Sequence, residues 1–308
     1  MRTLIFGGSG TVGANLVRRL VAENCQVTVA ARRASRAVRL AELKNIERID
    51  VDCQDADAVS AAVQATTPDV IFHLVSSRFG TTETIAQEHL AVNTMGTLNV
   101  LEAARQADVR RVVITGSAAE YGSGDHFQET QPTQPATVYG ATKLCASILG
   151  ETYARGLDLP VINLRLFTPF GPWEGPRRLI PSIILSALRK ETVKIGSPIP
   201  ERDFVFLEDV VDALMIAATH DAVGTVNIAS GRGTSVGTVA KTILELMQSR
   251  MTVESSGALR PNDILKMSGD IGSAQRILGW RPRHDFRAGL EKTIAWVSSR
   301  TALAHQLD

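Results

Sequence analysis

The stretch that most constrains this chain is its beginning. Residues 3–6 are a short β-type run, residues 7–13 hold four glycines, and residues 14–22 carry apolar side chains at helical spacing. A strand that meets a glycine turn and then a helix suits one task well. The turn can be tight, the backbone can approach a pyrophosphate closely, and the amino end of the following helix attracts the negative charge. Both Gly8-x-Gly10-x-x-Gly13 and the wider Gly7-x-x-Gly10-x-x-Gly13 are present. Gly7, Gly10, Thr11, Val12 and Gly13 are therefore the expected dinucleotide contacts.

The second strand, residues 26–30, should end beside the adenosine ribose. An NAD site usually places an acidic residue there, and this chain has none between Glu23 and Glu42. It has Arg32 and Arg33 instead, and guanidinium groups suit a 2′-phosphate, so NADP(H) is favoured over NAD(H).

Strand and helix then continue to alternate. Residues 46–51, 70–75 and 111–115 read as strands, and residues 55–65 and a long segment through Asn93 to residue 107 read as helices. Repeated βα units with apolar strands predict an α/β fold, a Rossmann-type doubly wound parallel sheet. Beyond Arg165 the alternation fades among prolines at 169, 172, 176, 181, 198 and 200, which suits a smaller C-terminal substrate-binding lobe. We expect the nucleotide-binding domain over residues 1–167 and the lobe over 168–308, with residues 203–228 returning to the first domain.

The formal net charge of +1 offers no global attraction for nucleic acid or a membrane surface, and no apolar run reaches spanning length. Cys25, Cys53 and Cys145 are scattered, and the histidines lack ligand spacing. Free thiols, no metal and a cytoplasmic location are expected.

The chemistry should come from Val138-Tyr139-Gly140-Ala141-Thr142-Lys143, which puts a phenol and an amine four residues apart on one helix face. An ammonium beside a phenol favours the phenolate, so Lys143 is expected to lower the Tyr139 pKa. Ser117, at the carboxyl end of a predicted sheet strand, can donate a hydrogen bond to a substrate oxygen.

Together these residues resemble the extended short-chain dehydrogenase/reductase family of NAD(P)-dependent nucleotide-sugar epimerases, dehydratases and keto-reductases. The likeness runs nearly end to end. It rests on the glycine turn, Asp52, His73-Leu74-Val75, Asn93, the Ser117-to-Gly122 stretch, the Tyr139/Lys143 pair, residues 164–172 and residues 202–210. It implies that Tyr139 exchanges the proton, that Ser117 orients the sugar, and that Lys143 holds the ribose. Asp52 and Cys53 would border the adenine, and Leu74, Val75, Ser76, Asn93, Thr115 and Phe167 would line the rest of the cofactor's path. Ala118 and Thr168 would face the sugar, Arg202 and Arg260 would clamp its diphosphate, and Asp263 would meet the nucleotide's ribose.

Dehydratases of this group carry an acid pair after the catalytic Ser or Thr, where this chain has Ala118 and Ala119, with Glu120 one position further on. A 4,6-dehydratase is therefore not expected. The arginines favour NADPH-dependent reduction of an NDP-4-keto-6-deoxyhexose, with NDP-sugar 4-epimerisation as the alternative and a non-catalytic NADP-binding sensor as a third reading. The family often dimerises through helices that correspond to residues 82–107 and 137–155, so a homodimer is expected.

Overall fold

The computed structural model describes residues 1–77, 83–259 and 263–307. Seven strands form the main sheet: β1 (Arg2–Phe6), β2 (Gln26–Ala31), β3 (Glu47–Asp50), β4 (Val70–His73), β5 (Arg111–Ser117), β6 (Val161–Leu166) and, far later in the chain, Gly224–Ile228. Their spatial order is Gly224–Ile228, β6, β5, β4, β1, β2, β3, and every neighbouring pair is parallel. The chain builds outward from β1 through β3, then restarts at β4 on the other side of β1. That reversal opens a crevice at the carboxyl ends of β1 and β4, the place where such sheets bind ligands.

Alternation along β1 explains the two covered faces. Ile5 joins Leu16, Leu20 and Leu214 in one core, beneath helices α1 (Thr11–Ala22) and Leu207–Thr219. Leu4 and Phe6 point the other way and pack with Val63, Leu101 and Tyr153, from α2 (Ala56–Thr66), α4 (Gly96–Gln106) and α5 (Val138–Gly156). β4 and β6 are buried at every residue, β4 as an almost wholly apolar run and β6 with Asn163 and Arg165 set among apolar residues. The long helical segment expected through Asn93 is α3 (Glu83–His89), a π-helical turn at Leu90–Met95, and then α4. Insertions of that kind re-aim side chains and recur at functional sites.

The remaining strands are short. β7 (Thr168–Phe170) pairs with β9 (Glu201–Phe206), which pairs with β11 (Gly233–Ser235), while β8 (Val193–Ile195) pairs with β12 (Val253–Ser255). Phe170, Phe204, Phe206, Ile183, Ile243 and Leu290 form their separate core, with helices α6 (Leu179–Leu188), α8 (Val236–Leu246) and the helix Phe286–Ser299. Between these pieces α7 (Leu207–Thr219) and β10 (Gly224–Ile228) lie with the main sheet.

Candidate active site

α5 begins at Thr137, whose side chain caps the helix by accepting from the Gly140 amide at 3.1 Å. It presents Tyr139, Lys143 and Ser147 in one row at intervals of four residues. The Tyr139 hydroxyl is 3.1 Å from the Ser76 hydroxyl, at the end of β4, and is also hydrogen-bonded with Ser117, at the end of β5. Lys143 is buried and donates to the Thr115 carbonyl at 2.5 Å. Three chain-distant segments thus converge on one phenol.

The electrostatics differ from the expectation that Lys143 lowers the tyrosine. Burial pushes the Tyr139 phenol up, and the hydrogen bonds to Ser76 and Ser117 oppose this only in part. Burial also brings Lys143 down to about 8, with the Glu120 carboxylate acting against the shift. The amine spends its shortest hydrogen bond on a backbone carbonyl, so desolvation governs both groups.

The cofactor cradle is defined by what will not fit in it. A side chain at Gly13 would meet the Gly7 carbonyl oxygen at 2.4 Å, and one at Gly7, where φ is +84°, would meet the Val75 amide nitrogen at 2.8 Å. The turn is therefore pressed against the Leu74–Val75 backbone. α1 starts from Gly10 with no side-chain cap, and its first turn, which includes Thr11, Val12 and Gly13, contains no acid. Its amide dipoles are available to an anion, as a dinucleotide pyrophosphate requires.

Arg32 and Arg33 are exposed just beyond β2. The basic segment after them is not a helix face. Ala34–Arg36 and Val38–Leu40 are 3₁₀ turns, and Arg39 leaves the surface to donate to the carbonyls of Trp173 and Leu307 at 2.9 and 2.8 Å. Asp52 accepts from the Gln54 amide at 3.0 Å. The Cys53 thiol is buried beneath Gly96 and pushed up to about 11, mainly by burial, so only the backbone of Cys53 can border an adenine. Asn93 is a brace: it accepts from the Ser77 amide at 2.9 Å and donates to Thr142 at 3.0 Å, holding the segment after β4 against α5.

On the substrate side, Phe167 is buried with Ala118, Tyr121, Ala229 and Met267, next to Ser117, and Thr168 opens β7 half-exposed. Arg202 donates to the Asp263 carboxylate at 2.9 Å and to the Ile264 carbonyl at 2.5 Å. The two side chains expected to hold different parts of a nucleotide here hold each other. Arg260 lies outside the described residues.

A model of the NAD dependent epimerase/dehydratase family matches residues 3–229, most of the chain and all of the sheet. The chain belongs to this family. Among its relatives are a dTDP-glucose 4,6-dehydratase of Neisseria meningitidis serogroup B, 29% identical over 96% of this chain and 92% of that protein, and a UDP-glucose 4-epimerase of Mycolicibacterium smegmatis, 28% identical over 98% and 100%. The solved structure of MoeE5 in complex with UDP-glucose and NAD is 30% identical, covers 98% of this chain and 100% of its own, and superposes with a TM-score of 0.88. This is the extended short-chain dehydrogenase/reductase group, as the motifs implied, with the expected Rossmann-like parallel sheet. Of these three names one is a dehydratase and one an epimerase, and none is a keto-reductase.

Within that family the stretch after Ser117 carries the difference. Ala118 and Ala119 provide no acid, and Glu120 turns away from the site into the sheet. Its carboxylate accepts from the Ser117 amide at 2.7 Å, Ser147 Oγ at 2.9 Å and Arg165 Nε at 2.8 Å. Two other groups that reach the phenol, the buried His89 and the exposed Arg178, were not among the expected site residues. His89 stacks edge-on against the Tyr139 ring at 5.6 Å and hydrogen-bonds with Ser77 at 2.6 Å, and Arg178 carries positive charge toward the phenol. Arg178 stands four residues beyond Glu174, an i,i+4 spacing visible in the sequence; His89 is marked by nothing beyond its helical setting.

No helix of the described residues is long and apolar enough to cross a membrane, and among them no cluster of His, Cys, Asp and Glu could hold a metal ion.

Proposed function

We propose that this enzyme uses NADPH to reduce the keto group of a nucleotide-diphosphate 4-keto-6-deoxyhexose. The observation that carries the reading is a phenol kept protonated by burial, gathered with Ser117 and Lys143 at the sheet's switch point, with no second acid beside it. When bound, the nicotinamide supplies the hydride. Ser117 and Ser76 orient the Tyr139 hydroxyl toward the sugar oxygen, and Tyr139 gives up its proton to it. The phenolate left behind is held by those two hydroxyls and by the nearby charge of Lys143. A proton donor in its acid form suits reduction, whereas oxidation of an alcohol needs the phenolate first.

Elimination of water is not part of the proposal, because Ala118 and Ala119 cannot abstract a proton and Glu120 is committed to three donors. Arg32 and Arg33 support a cofactor that carries a 2′-phosphate. The substrate diphosphate would take Arg202 and Arg260, with Asp263 released to the ribose. A second reading, sugar 4-epimerisation, is favoured by the epimerase relative and by the NAD in the MoeE5 structure. We also infer a homodimer, because Leu90 and Met95 on the π turn and Val138 and Ile148 on α5 are exposed apolar residues on adjoining helices.

The test is incubation with NADPH and a panel of NDP-4-keto-6-deoxy sugars while absorbance of the reduced cofactor is followed. Cofactor consumption matched to product supports reduction. Inversion of an NDP-sugar without net consumption supports epimerisation, and binding with neither leaves a sensor.

A further inference from the structure

Glu120 is a buried carboxylate beside the site that the proposed chemistry leaves unused. It is fully buried at the end of β5, and three donors from three elements converge on it. The Ser117 amide comes from its own turn, Ser147 Oγ from α5, and Arg165 Nε from β6. Burial pushes the Glu120 carboxyl up, while the Arg165 charge, the Ser117 amide and Ser147 pull the other way; with the Arg165 guanidinium at 2.8 Å and every partner donating, we take the group as the carboxylate of a buried ion pair. Its bond to Ser117 closes a capping box: Ser117 Oγ accepts from the Ala119 amide at 3.2 Å while Glu120 reaches back to the Ser117 amide. That pairing fixes the backbone of the residue that touches Tyr139.

The same carboxylate accepts from Ser147, which sits one helical turn beyond Lys143 on α5. Ser147 Oγ, which donates to Glu120, is also within 3.1 Å of the Lys143 carbonyl, and Asn163 donates to Ser147 at 2.8 Å. The titratable and charged groups around the ammonium can be named element by element: His73 from β4, Glu120 from the turn after β5, Arg165 from β6, and Tyr139 on its own helix. His73 is held neutral, since burial brings it down to about 3. Arg165 is positive, so Glu120 is the counter-charge.

Resting on the acid–base reading of Tyr139 and Lys143, we propose that Glu120 is a positioning residue of this active site. Through one oxygen it sets the Ser117 backbone, and through its charge it keeps the buried Lys143 amine protonated.

Glu120→Gln tests this with little change of shape. An amide has one acceptor end where the carboxylate has two, and its NH2 group meets only donors. For the holoenzyme we expect kcat to fall at least ~10-fold with the sugar KM within about threefold, because the lost interaction matters to the reacting geometry. The alkaline limb of the kcat profile should move down by about one pH unit, because removing the counter-charge makes the amine easier to deprotonate. NADPH binding should be unchanged at neutral pH and should weaken at a lower alkaline pH than in the wild type. That binding measurement needs no sugar, so it still tests Glu120 if the panel of substrates fails. If E120Q does not fold, the pair E120M/R165M exchanges the ion pair for apolar groups of similar size and is read by kcat, which should still fall because the tie to the Ser117 backbone is lost. A purely structural role would lower stability without moving either limb. Wild-type kcat together with unmoved limbs in E120Q, or wild-type kcat in E120M/R165M, overturns the assignment.

Discussion

Replacement of Arg32 and Arg33 by alanine is the sharpest probe of the cofactor. Both side chains stand in solvent beyond β2, and neither takes part in an ion pair among the described residues. Asp50, at the end of the adjoining strand β3, is already engaged by the Ser35 amide at 3.0 Å and the Ser35 hydroxyl at 2.9 Å. Two guanidinium groups are therefore free to meet a 2′-phosphate. A charge-assisted hydrogen bond in so wet a setting contributes about 1–1.5 kcal/mol, below the value for a buried one. Loss of both should cost about 2–3 kcal/mol, roughly 30- to 160-fold in Kd. The assay is fluorescence titration of the double variant and wild type with NADPH and with NADH. NADPH should weaken by that factor and NADH hardly at all, and the wild-type preference should shrink as salt rises. Arg39→Ala is the control. Arg39 ties Trp173 to the C-terminal Leu307, so its loss should lower stability without changing the NADPH/NADH ratio. Tighter binding of NADH than NADPH by the wild type, or equal weakening of both in the double variant, would refute the reasoning.

Tyr139→Phe should lower kcat at least ~10²-fold and leave cofactor binding nearly intact, as measured by parallel turnover and titration; wild-type turnover would remove the phenol from its role. Glu174, buried in the turn after β7 with one carboxylate oxygen unpartnered, is pushed up to about 7 by burial against the pull of Arg178. A carboxyl whose folded pKa is raised contributes stability at acid pH and loses it as pH rises through the folded value. Glu174→Gln should therefore raise the unfolding free energy at pH 7 and above, by on the order of 3 kcal/mol at most, and the thermal midpoint with it, with the gain vanishing toward pH 4.5; an equal gain at every pH would contradict this. Ile148→Glu puts a charge into the exposed apolar strip on α5, and light scattering after size exclusion should find half the wild-type mass. An unchanged mass would place the interface elsewhere.

The sheet was legible because its signals are local. The run from Thr3 through Ala22 declares a strand, a turn and a helix within twenty residues, and β4 and β5 carry the short apolar runs 70–72 and 112–114. The glycine cradle was legible in part for the same reason, since Gly13 is required by contacts with Gly7 and Gly8, although Gly7 is pressed against the distant Leu74–Val75 backbone. What escaped depends on separations that no window spans. Arg202 and Asp263 stand sixty-one positions apart and still pair, and Arg39 bonds to Leu307 at the far end of the chain. The sign of the Tyr139 shift escaped differently. The i,i+4 spacing correctly puts Tyr139 and Lys143 in one helical row, yet spacing carries no measure of desolvation, and in this site desolvation is the largest influence on the phenol. Glu120 combines both cases. Ser117-x-x-Glu120 is a readable capping pattern, but its distance from Ser117 could equally have aimed an acid into the pocket. The decision rests with Arg165 and Ser147, which lie on later elements and draw the carboxylate inward. One side chain's direction thus separates an elimination acid from a buried counter-charge.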